Sequence, residues 1–225
     1  MNIAFWSEEH QSGTTTHLRA ITEVMSVLCP KQKLMSGGTL SGGDGEIHFF
    51  DCGSGFSARK RHVLWHADLV VVSLRRERRC VEQFFMQDFH ISDRLIYLLG
   101  GYPQKEAVDR RYLERVYRVD PEYIGEIPFC NGFYDALQKG AGEAYLRREL
   151  ASAAGWSGQS GALLQELRRI ALLIERLADE AERDRQRLRQ QEERLKARKA
   201  AKTARRGTYG GRGTASGAVG TGKTG

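Results

Sequence analysis

The chain has 225 residues and a mass of 25.3 kDa, with a formal net charge of +7 and four cysteines. No apolar run approaches the length needed to span a bilayer, and no basic-then-apolar leader opens the chain, so we expect neither a transmembrane helix nor a secretory signal. The cysteines form no CxxC pair, which argues against a zinc site and a disulfide framework. We therefore expect a cytoplasmic protein in which Cys29, Cys52, Cys80 and Cys130 are small buried residues.

The first predicted elements are a strand, a polar loop and a helix. Residues 3–7 form a short apolar run, and from Thr15 apolar residues recur at spacings of three and four. A loop between a strand and a helix N-terminus binds phosphate through backbone N–H groups and the helix dipole. In such loops a lysine follows the last glycine and reaches the phosphates. Here that glycine is Gly13 and the next residue is Thr14, so the segment predicts a phosphate-binding loop without its cation.

The eight residues that end at Thr16 resemble the deviant Walker A motif of the ParA/MinD family of P-loop ATPases, Lys-Gly-Gly-x-Gly-Lys-Thr-Thr. Gly13, Thr15 and Thr16 match this motif, whereas Glu9 and Thr14 stand in place of its two lysines. The resemblance implies that the loop receives phosphate and that the Thr15 hydroxyl holds Mg²⁺. An unrelated strand–turn–helix with a threonine N-cap would give the same three matches.

A later predicted strand ends in a carboxylate. The apolar run 47–51 ends at Asp51, and Gly55 follows four residues later. This resembles the Walker B motif and second switch of the same family, which implies that Asp51 helps to hold Mg²⁺ through water and that the Gly55 backbone senses the γ-phosphate. Pro128 lies in an Ile-Pro segment similar to a stretch of the family near the nucleotide base.

Together these segments imply one site for ATP or ADP with Mg²⁺. By resemblance, its metal-binding residues would be Thr15 and Asp51. The full set of implied nucleotide-binding residues is Gly13, Thr14, Thr15, Thr16, Asp51, Gly55 and Pro128.

Other functional positions of the family differ in this chain. The lysines are replaced by Glu9 and Thr14, and Gly100 begins the segment that stands in place of a base-reading asparagine. Asp44, the one candidate for a water-activating acid, lies in a Gly-Gly-Asp-Gly run typical of a turn. His10 would add charge only when protonated, and a solvated loop histidine is the simpler interpretation. Because phosphoryl transfer depends on positioned charge, we expect little or no ATP hydrolysis and weak or absent nucleotide binding.

Strands alternate with helices over residues 1–150, which predicts a doubly wound, mostly parallel α/β domain of P-loop NTPase-like type. The run 67–74 is rich in β-branched residues, as in a parallel strand buried on both faces. Residues 30–46 are crowded with Gly and Ser and predict a loop where the family has its second strand and first switch. The other strands are expected at 3–7, 47–51, 94–99 and 122–127, and helices at 15–28, 58–65, 78–87, 106–116, 134–139 and 143–150.

A second unit follows this domain. Residues 151–161 have the composition of a small-residue linker, and residues 162–206, without glycine or proline, predict a long helix. Apolar residues recur every three to four positions from Leu163 to Ala181. This pattern indicates either a coiled-coil or docking helix over residues 162–190, for a protein partner or a second copy, or a helix folded back on its own sheet. The rest of the helix is charged on nearly every face and should be solvated.

The tail, residues 207–225, is rich in Gly, Thr and Ala and is expected to be disordered. Residues 217–224 satisfy the pattern GxxxxGK[ST], but no strand precedes them and no helix follows, so we expect no phosphate site there. Residues 162–225 carry 16 Lys and Arg against 8 Asp and Glu, a net charge of +8, whereas residues 1–161 carry −1. This basic arm could contact nucleic acid non-specifically or an anionic membrane, or could be a solubilising extension.

Three functions fit these segments. The first is a ParA/MinD-like protein that has lost its ATPase machinery and acts as a cytoplasmic positioning or scaffold factor, similar to the TadZ/CpaE-like localisation proteins of Flp/Tad pilus assembly. The second is a nucleotide-dependent switch ATPase of partitioning, with a basic arm that binds DNA non-specifically. The third is an unrelated α/β enzyme, with Asp51 and either His48 or His66 as its acid–base pair. The decayed motifs favour the first.

Overall fold

A computed structural model describes residues 1–29, 33–36, 46–87, 91, 94–100, 108–152 and 158–209 of the chain. Within these ranges the chain alternates between strands and helices. The strands are β1 (Asn2–Ser7), β2 (Lys33–Ser36), β3 (Glu46–Ser54), β4 (Leu69–Arg75), β5 (Leu95–Gly100) and β6 (Ile124–Glu126). The helices are α1 (Thr14–Leu28), α2 (Ala58–His66), α3 (Arg78–Met86), α4 (Arg110–Tyr117), α5 (Asn131–Gln138), α6 (Gly142–Ala151) and α7 (Gly158–Tyr209), with a short 3₁₀ turn at Pro121–Tyr123.

All the described strands pair in parallel, in the order β2-β3-β1-β4-β5-β6. The register places Phe5 of β1 opposite Asp51 on one side and Val71 on the other. Residues 69–74 of β4 are buried, as expected for a central parallel strand whose two faces are both covered. The prediction of a doubly wound parallel sheet followed by a long C-terminal helix is confirmed.

The two faces of the sheet carry separate hydrophobic cores. Alternate residues of β1 point to opposite faces, so Ile3 and Phe5 belong to one core while Ala4 and Trp6 belong to the other. The first core receives apolar side chains from α1, α5, α6 and α7, and the second receives them from α2, α3 and α4. The described helices include none with the length and apolar character that a membrane span requires.

Two predicted boundaries are corrected by the structure. Lys33–Ser36 forms the short edge strand β2 within an interval that predicted only a loop; Asp44 lies outside the described residues. Helix α7 begins at Gly158, so the last four residues of the predicted linker are helical, and it continues to Tyr209, three residues into the predicted tail. Packing outweighs the low helix propensity of glycine at this start, because Ser160 bonds the Tyr145 hydroxyl (2.7 Å) of α6.

The first half of α7 belongs to the same compact unit as the sheet, Met1–Glu182. Its apolar stripe is buried in the core below the sheet: Leu163, Leu167, Ile170 and Ile174 are at most 1% exposed. Of the two alternatives for this stripe, the structure therefore shows the helix folded back on its own sheet. A partner on this helix stays a prediction, and it concerns the remaining faces.

The second unit, Arg183–Gly225, is described as helix to Tyr209. Every residue from 183 to 199 is exposed except Arg185, which is half-buried. This is the solvated, charged helix that the sequence predicts. The remainder of the predicted tail, including the GxxxxGK[ST] match at 217–224, lies outside the described residues.

Helix α7 also satisfies the backbone of the edge strand β6. Glu166 Oε1 accepts the N–H of Glu126 (2.8 Å), and Arg169 donates to the carbonyl oxygens of Glu122 (2.9 Å) and Ile124 (2.6 Å). Glu166 and Arg169 also pair with each other at 2.8 Å. An open sheet edge exposes unpaired backbone groups to other chains. The two side chains thus protect this edge and hold α7 in register with it.

Gly125 of β6 is required by a close approach of two core side chains. A Cβ at this position would lie 2.6 Å from Leu98 Cδ2 and 2.9 Å from Ile170 Cδ1, and both of those side chains are fully buried. We expect Gly125→Ala to lower the free energy of unfolding by about 1–3 kcal/mol through overpacking, measured by urea denaturation. Ile170→Val removes the facing methyl group, so the double variant should lose less than the sum of the single losses. A Gly125→Ala protein as stable as wild type would contradict this packing.

Candidate functional site

The loop between β1 and α1 ends in a glycine at the start of the helix. Gly13 precedes the helix in the left-handed region (φ 81°), where glycine is favoured, and its carbonyl accepts the N–H of His17 (2.8 Å). The loop meets the carboxyl end of β3, because β1 and β3 are parallel neighbours. A cavity of about 240 Å³ opens between them. Its lining is Ser7, Gln11, Ser12, Gly13, Thr14, Thr15, Thr16, Gly53 and Ser54.

The two residues implied in metal binding are in direct contact. Thr15 Oγ1 donates to Asp51 Oδ2 (2.7 Å), and Asp51 Oδ1 accepts the N–H of Gly53 (2.9 Å). A hydroxyl and a carboxylate are hard oxygen ligands that suit Mg²⁺, which commonly takes its other ligands from water and substrate phosphates. The donor set therefore fits Mg²⁺ bound together with a phosphate ligand.

Thr14 occupies the position where the family has its loop lysine. Its side chain is buried, and its hydroxyl has no hydrogen-bond partner among the described residues. A buried hydroxyl without a partner costs free energy, and a bound ligand would remove that cost. The loop thus has a neutral, buried side chain at the position where the family has a charge.

The backbone N–H of Gly55 is engaged within the protein. It donates to the carbonyl oxygens of Ser7 (3.0 Å) and Glu8 (3.1 Å), whereas the resemblance implied a contact with γ-phosphate. In the structure, this N–H therefore bonds the segment after β3 to the end of β1.

The acidic residue at the other lysine position also faces its own chain. Glu9 Oε2 accepts a hydrogen bond from the Cys80 thiol of α3 (2.9 Å), and burial, with this carboxylate, raises the pKa of Cys80 to about 12. Next to it, Gln83 of α3 donates to Glu8 (3.2 Å), and burial raises the pKa of the Glu8 carboxyl. The carboxyl groups of Glu8 and Glu9 therefore connect the loop to α3 through hydrogen bonds.

The space near Pro128 is nearly closed. The cavity there measures about 20 Å³, room for roughly one water molecule. Leu163 and Leu167 of α7 form part of its wall, together with Phe133 and Tyr134. A second cavity at Thr16, Arg19, Phe133 and Leu146 measures about 120 Å³, which is below the usual size of a small-molecule pocket. The cavity beside Pro128 is therefore smaller than a nucleotide base, and the role of Pro128 as a nucleotide-binding residue stays a prediction.

Sequence reasoning missed a buried histidine beside the loop. His17 Nδ1 lies 2.9 Å from Ser73 Oγ of β4, and burial lowers the pKa of His17 to about 4. A Cβ at Gly100 would lie 2.6 Å from His17 Nε2, and one at Gly13 would lie 3.2 Å from it. The imidazole therefore occupies the place of a side chain at the end of β5. The sequence held one sign of this arrangement, the glycine at position 100, where the resemblance places an asparagine. A residue without a side chain at that position leaves room for the imidazole.

The structure does not assemble the acid–base pair of the enzyme alternative. Asp51 bonds Thr15 and Gly53, whereas His48 is buried and pairs with Glu46 (3.1 Å), two residues earlier on β3. His66 packs against His62 on α2, with ring centroids 4.5 Å apart. The described contacts of these histidines therefore leave Asp51 without an imidazole partner. Within the described residues, no group of three or more His, Cys, Asp or Glu could hold a metal ion.

The parallel strand order, the glycine-bearing loop between β1 and α1, and the acid near the carboxyl end of the adjacent strand give the chain the architecture of P-loop-type α/β folds. Among solved structures, the chain is similar to the cell division ATPase MinD of Pyrococcus furiosus, with a TM-score of 0.54 and 11% identity over 76% of this chain and 98% of that one. No protein-family model and no curated protein matches the sequence. The chain thus has a ParA/MinD-like fold.

Proposed function

We propose that this chain is a catalytically impaired ParA/MinD-like protein that acts as a cytoplasmic positioning or scaffold factor, with weak or absent nucleotide binding. Flp/Tad-type pilus assembly is the process we infer, by analogy with relatives whose Walker motifs are similarly decayed. The support for impaired catalysis is Thr14, a buried neutral side chain at the position of the loop lysine.

The energetic argument concerns charge in the transition state. Phosphoryl transfer spreads negative charge over the γ-phosphate oxygens, and catalysis depends on positioned cations that meet it. Removal of one such stabilising group costs about 3–4 kcal/mol in other enzymes. Neither Thr14 nor Glu9 supplies a positive charge, and the Glu9 carboxylate is bonded to Cys80. The loop keeps the glycine that precedes the helix but lacks the positive charge that would stabilise the transition state.

Nucleotide affinity should also be low, because the cavity beside Pro128, where the resemblance implies the base, measures only about 20 Å³. Leu163 and Leu167 line the small cavity at Pro128, and α7 is anchored there by a buried stripe. A nucleotide would have to bind mainly through its phosphates. A scaffold protein, which acts through the surfaces that it presents to partners, does not require tighter nucleotide binding.

The alternative function is a nucleotide-dependent switch ATPase of partitioning, with a basic arm that contacts DNA non-specifically. The observation in its favour is the preserved contact between Thr15 and Asp51, at 2.7 Å. The exposed basic residues of 183–199 would supply the electrostatic contact with DNA.

Thr15→Ala separates these functions when the full chain is titrated with Mg·ATP by calorimetry and assayed for phosphate release. We expect no turnover above background and a dissociation constant of about 0.1 mM or weaker, with any binding heat abolished by Thr15→Ala. Ser26→Ala, at the other end of α1, is the matched control and should bind like wild type. Micromolar binding with turnover, both lost in Thr15→Ala, would refute the scaffold proposal and establish the switch.

A further inference from the structure

One lysine outside the loop is bonded to a residue that lines the same cavity. Lys60 of α2 donates from Nζ to the carbonyl oxygen of Ser54 (2.5 Å), and Ser54 lines the cavity together with Thr14 and Thr15. The hydroxyl of Ser54 also lies 2.7 Å from His10 Nδ1, which belongs to the loop. Ser54 thus connects the loop with a cationic side chain from the next helix.

The start of α2 directs Lys60 inward. Ser57 caps the helix by accepting the N–H of Lys60 (3.3 Å), and Leu64, one turn later on the same face, is buried in the core. Lys60 is accordingly half-buried, whereas Arg59 and Arg61 are exposed. Only the lysine of these three cations therefore faces the end of β3.

The charge of Lys60 has no counterion among the described residues. Its hydrogen-bond acceptor is a neutral carbonyl, and the ion pairs formed by described residues do not include it. An ammonium with spare donors beside a cavity is suited to an anion.

We propose that Lys60 supplies, from α2, the cation that the loop lacks, and that a phosphate-bearing anion binds between the Lys60 ammonium and the backbone N–H groups of the loop. This inference rests on the phosphate site of the proposed function and names the residue that carries its charge. Thr14, whose hydroxyl has no hydrogen-bond partner among the described residues, lines the same cavity. Because the space at Pro128 is closed, the phosphates provide most of the contacts and the rest of the ligand remains outside.

The test compares two single charge removals on one helix. The full chain is titrated by calorimetry with Mg·pyrophosphate and with Mg·ATP, as wild type, Lys60→Gln and Arg59→Gln. We expect Lys60→Gln to weaken both ligands about tenfold and Arg59→Gln to change them less than about twofold, since an exposed arginine adds only a screened, general attraction. Equal affinity of the two probes in wild type would mean that the phosphates alone are recognised.

A second set of variants tests whether a lysine in the loop can replace the function of Lys60. Thr14→Lys in the Lys60→Gln background places the cation in the loop and should restore most of the lost affinity, whereas Lys60→Arg should keep part of it. Wild type without binding at millimolar pyrophosphate, or Lys60→Gln with wild-type affinity, overturns the inference. ATP hydrolysis by wild type is a separate result. It would overturn the proposed function, but it would not affect the conclusion on Lys60, which depends only on the affinities of the variants.

Discussion

A chain that ends at Ser152, and therefore lacks α7, is expected not to fold. Leu163, Leu167, Ile170, Ile174 and Leu177 are each at most 3% exposed and lie in the core that covers one face of the sheet. Truncation of a single buried Leu or Ile costs about 2–5 kcal/mol, and a whole domain is stable by only about 5–15 kcal/mol. The loss of several such side chains exceeds what the domain can tolerate.

The deletion also uncovers the sheet edge. Without Glu166 and Arg169, the N–H of Glu126 and the carbonyl of Ile124 lose their partners, and β6 becomes an open edge. Far-UV circular dichroism and urea titration of the truncated chain should show no cooperative transition. A chain that ends at Glu182, the last residue of the compact unit, is the control and should unfold cooperatively. Cooperative unfolding of the shorter chain would show that α7 is an appendage.

The stability of the protein is expected to fall as the pH is lowered from 7 to 5, because of His17. Burial lowers its pKa from 6.5 to about 4 in the folded chain, while the unfolded chain keeps the ordinary value. Between these values the unfolded state binds a proton that the folded state does not, so acid favours unfolding. The contribution is fully present above pH 6.5 and decreases through this window, by about 2 kcal/mol between pH 7 and pH 5.

Urea unfolding of wild type, His17→Gln and His62→Gln at the two pH values measures this effect. His17→Gln should be less stable than wild type at pH 7, because the fit beside Ser73 and Gly100 is lost, and it should also lose most of the pH dependence. His62 is exposed on α2, so its variant should follow wild type. If wild type and His17→Gln lose stability in parallel, His17 does not titrate as its burial requires.

Much of the sheet could be predicted from local patterns. Apolar runs predicted five of the six described strands. The structure places Asp51, the acid of the 47–51 run, within 2.7 Å of the loop residue Thr15. The strand β2 was missed because only Leu34 and Met35 are apolar in it, within a segment whose Gly and Ser residues favour a loop. The backbone hydrogen bonds with β3 stabilise this strand, whose own residues have little tendency to form one.

The candidate site was harder to predict than the fold. Gly13, Thr15 and Asp51 could be identified by resemblance, because their spacing along the chain follows a known motif. The inward direction of Lys60 depends on which face of α2 packs on the sheet, which the buried Leu64 decides. The bond between Glu9 and Cys80 joins residues 71 positions apart, and no local pattern relates them.

The periodicity of residues 163–181 established that a long helix has an apolar stripe, because spacing along the chain sets which side chains share a face. It could not establish what that stripe meets, since a coiled-coil partner and the chain's own sheet bury apolar surface equally well. The tertiary structure shows that the stripe packs on the chain's own sheet. Glu166 and Arg169 bond the edge strand, and Ile170 lies close to Gly125. The same packing places Leu163 and Leu167 in the wall of the small cavity beside Pro128.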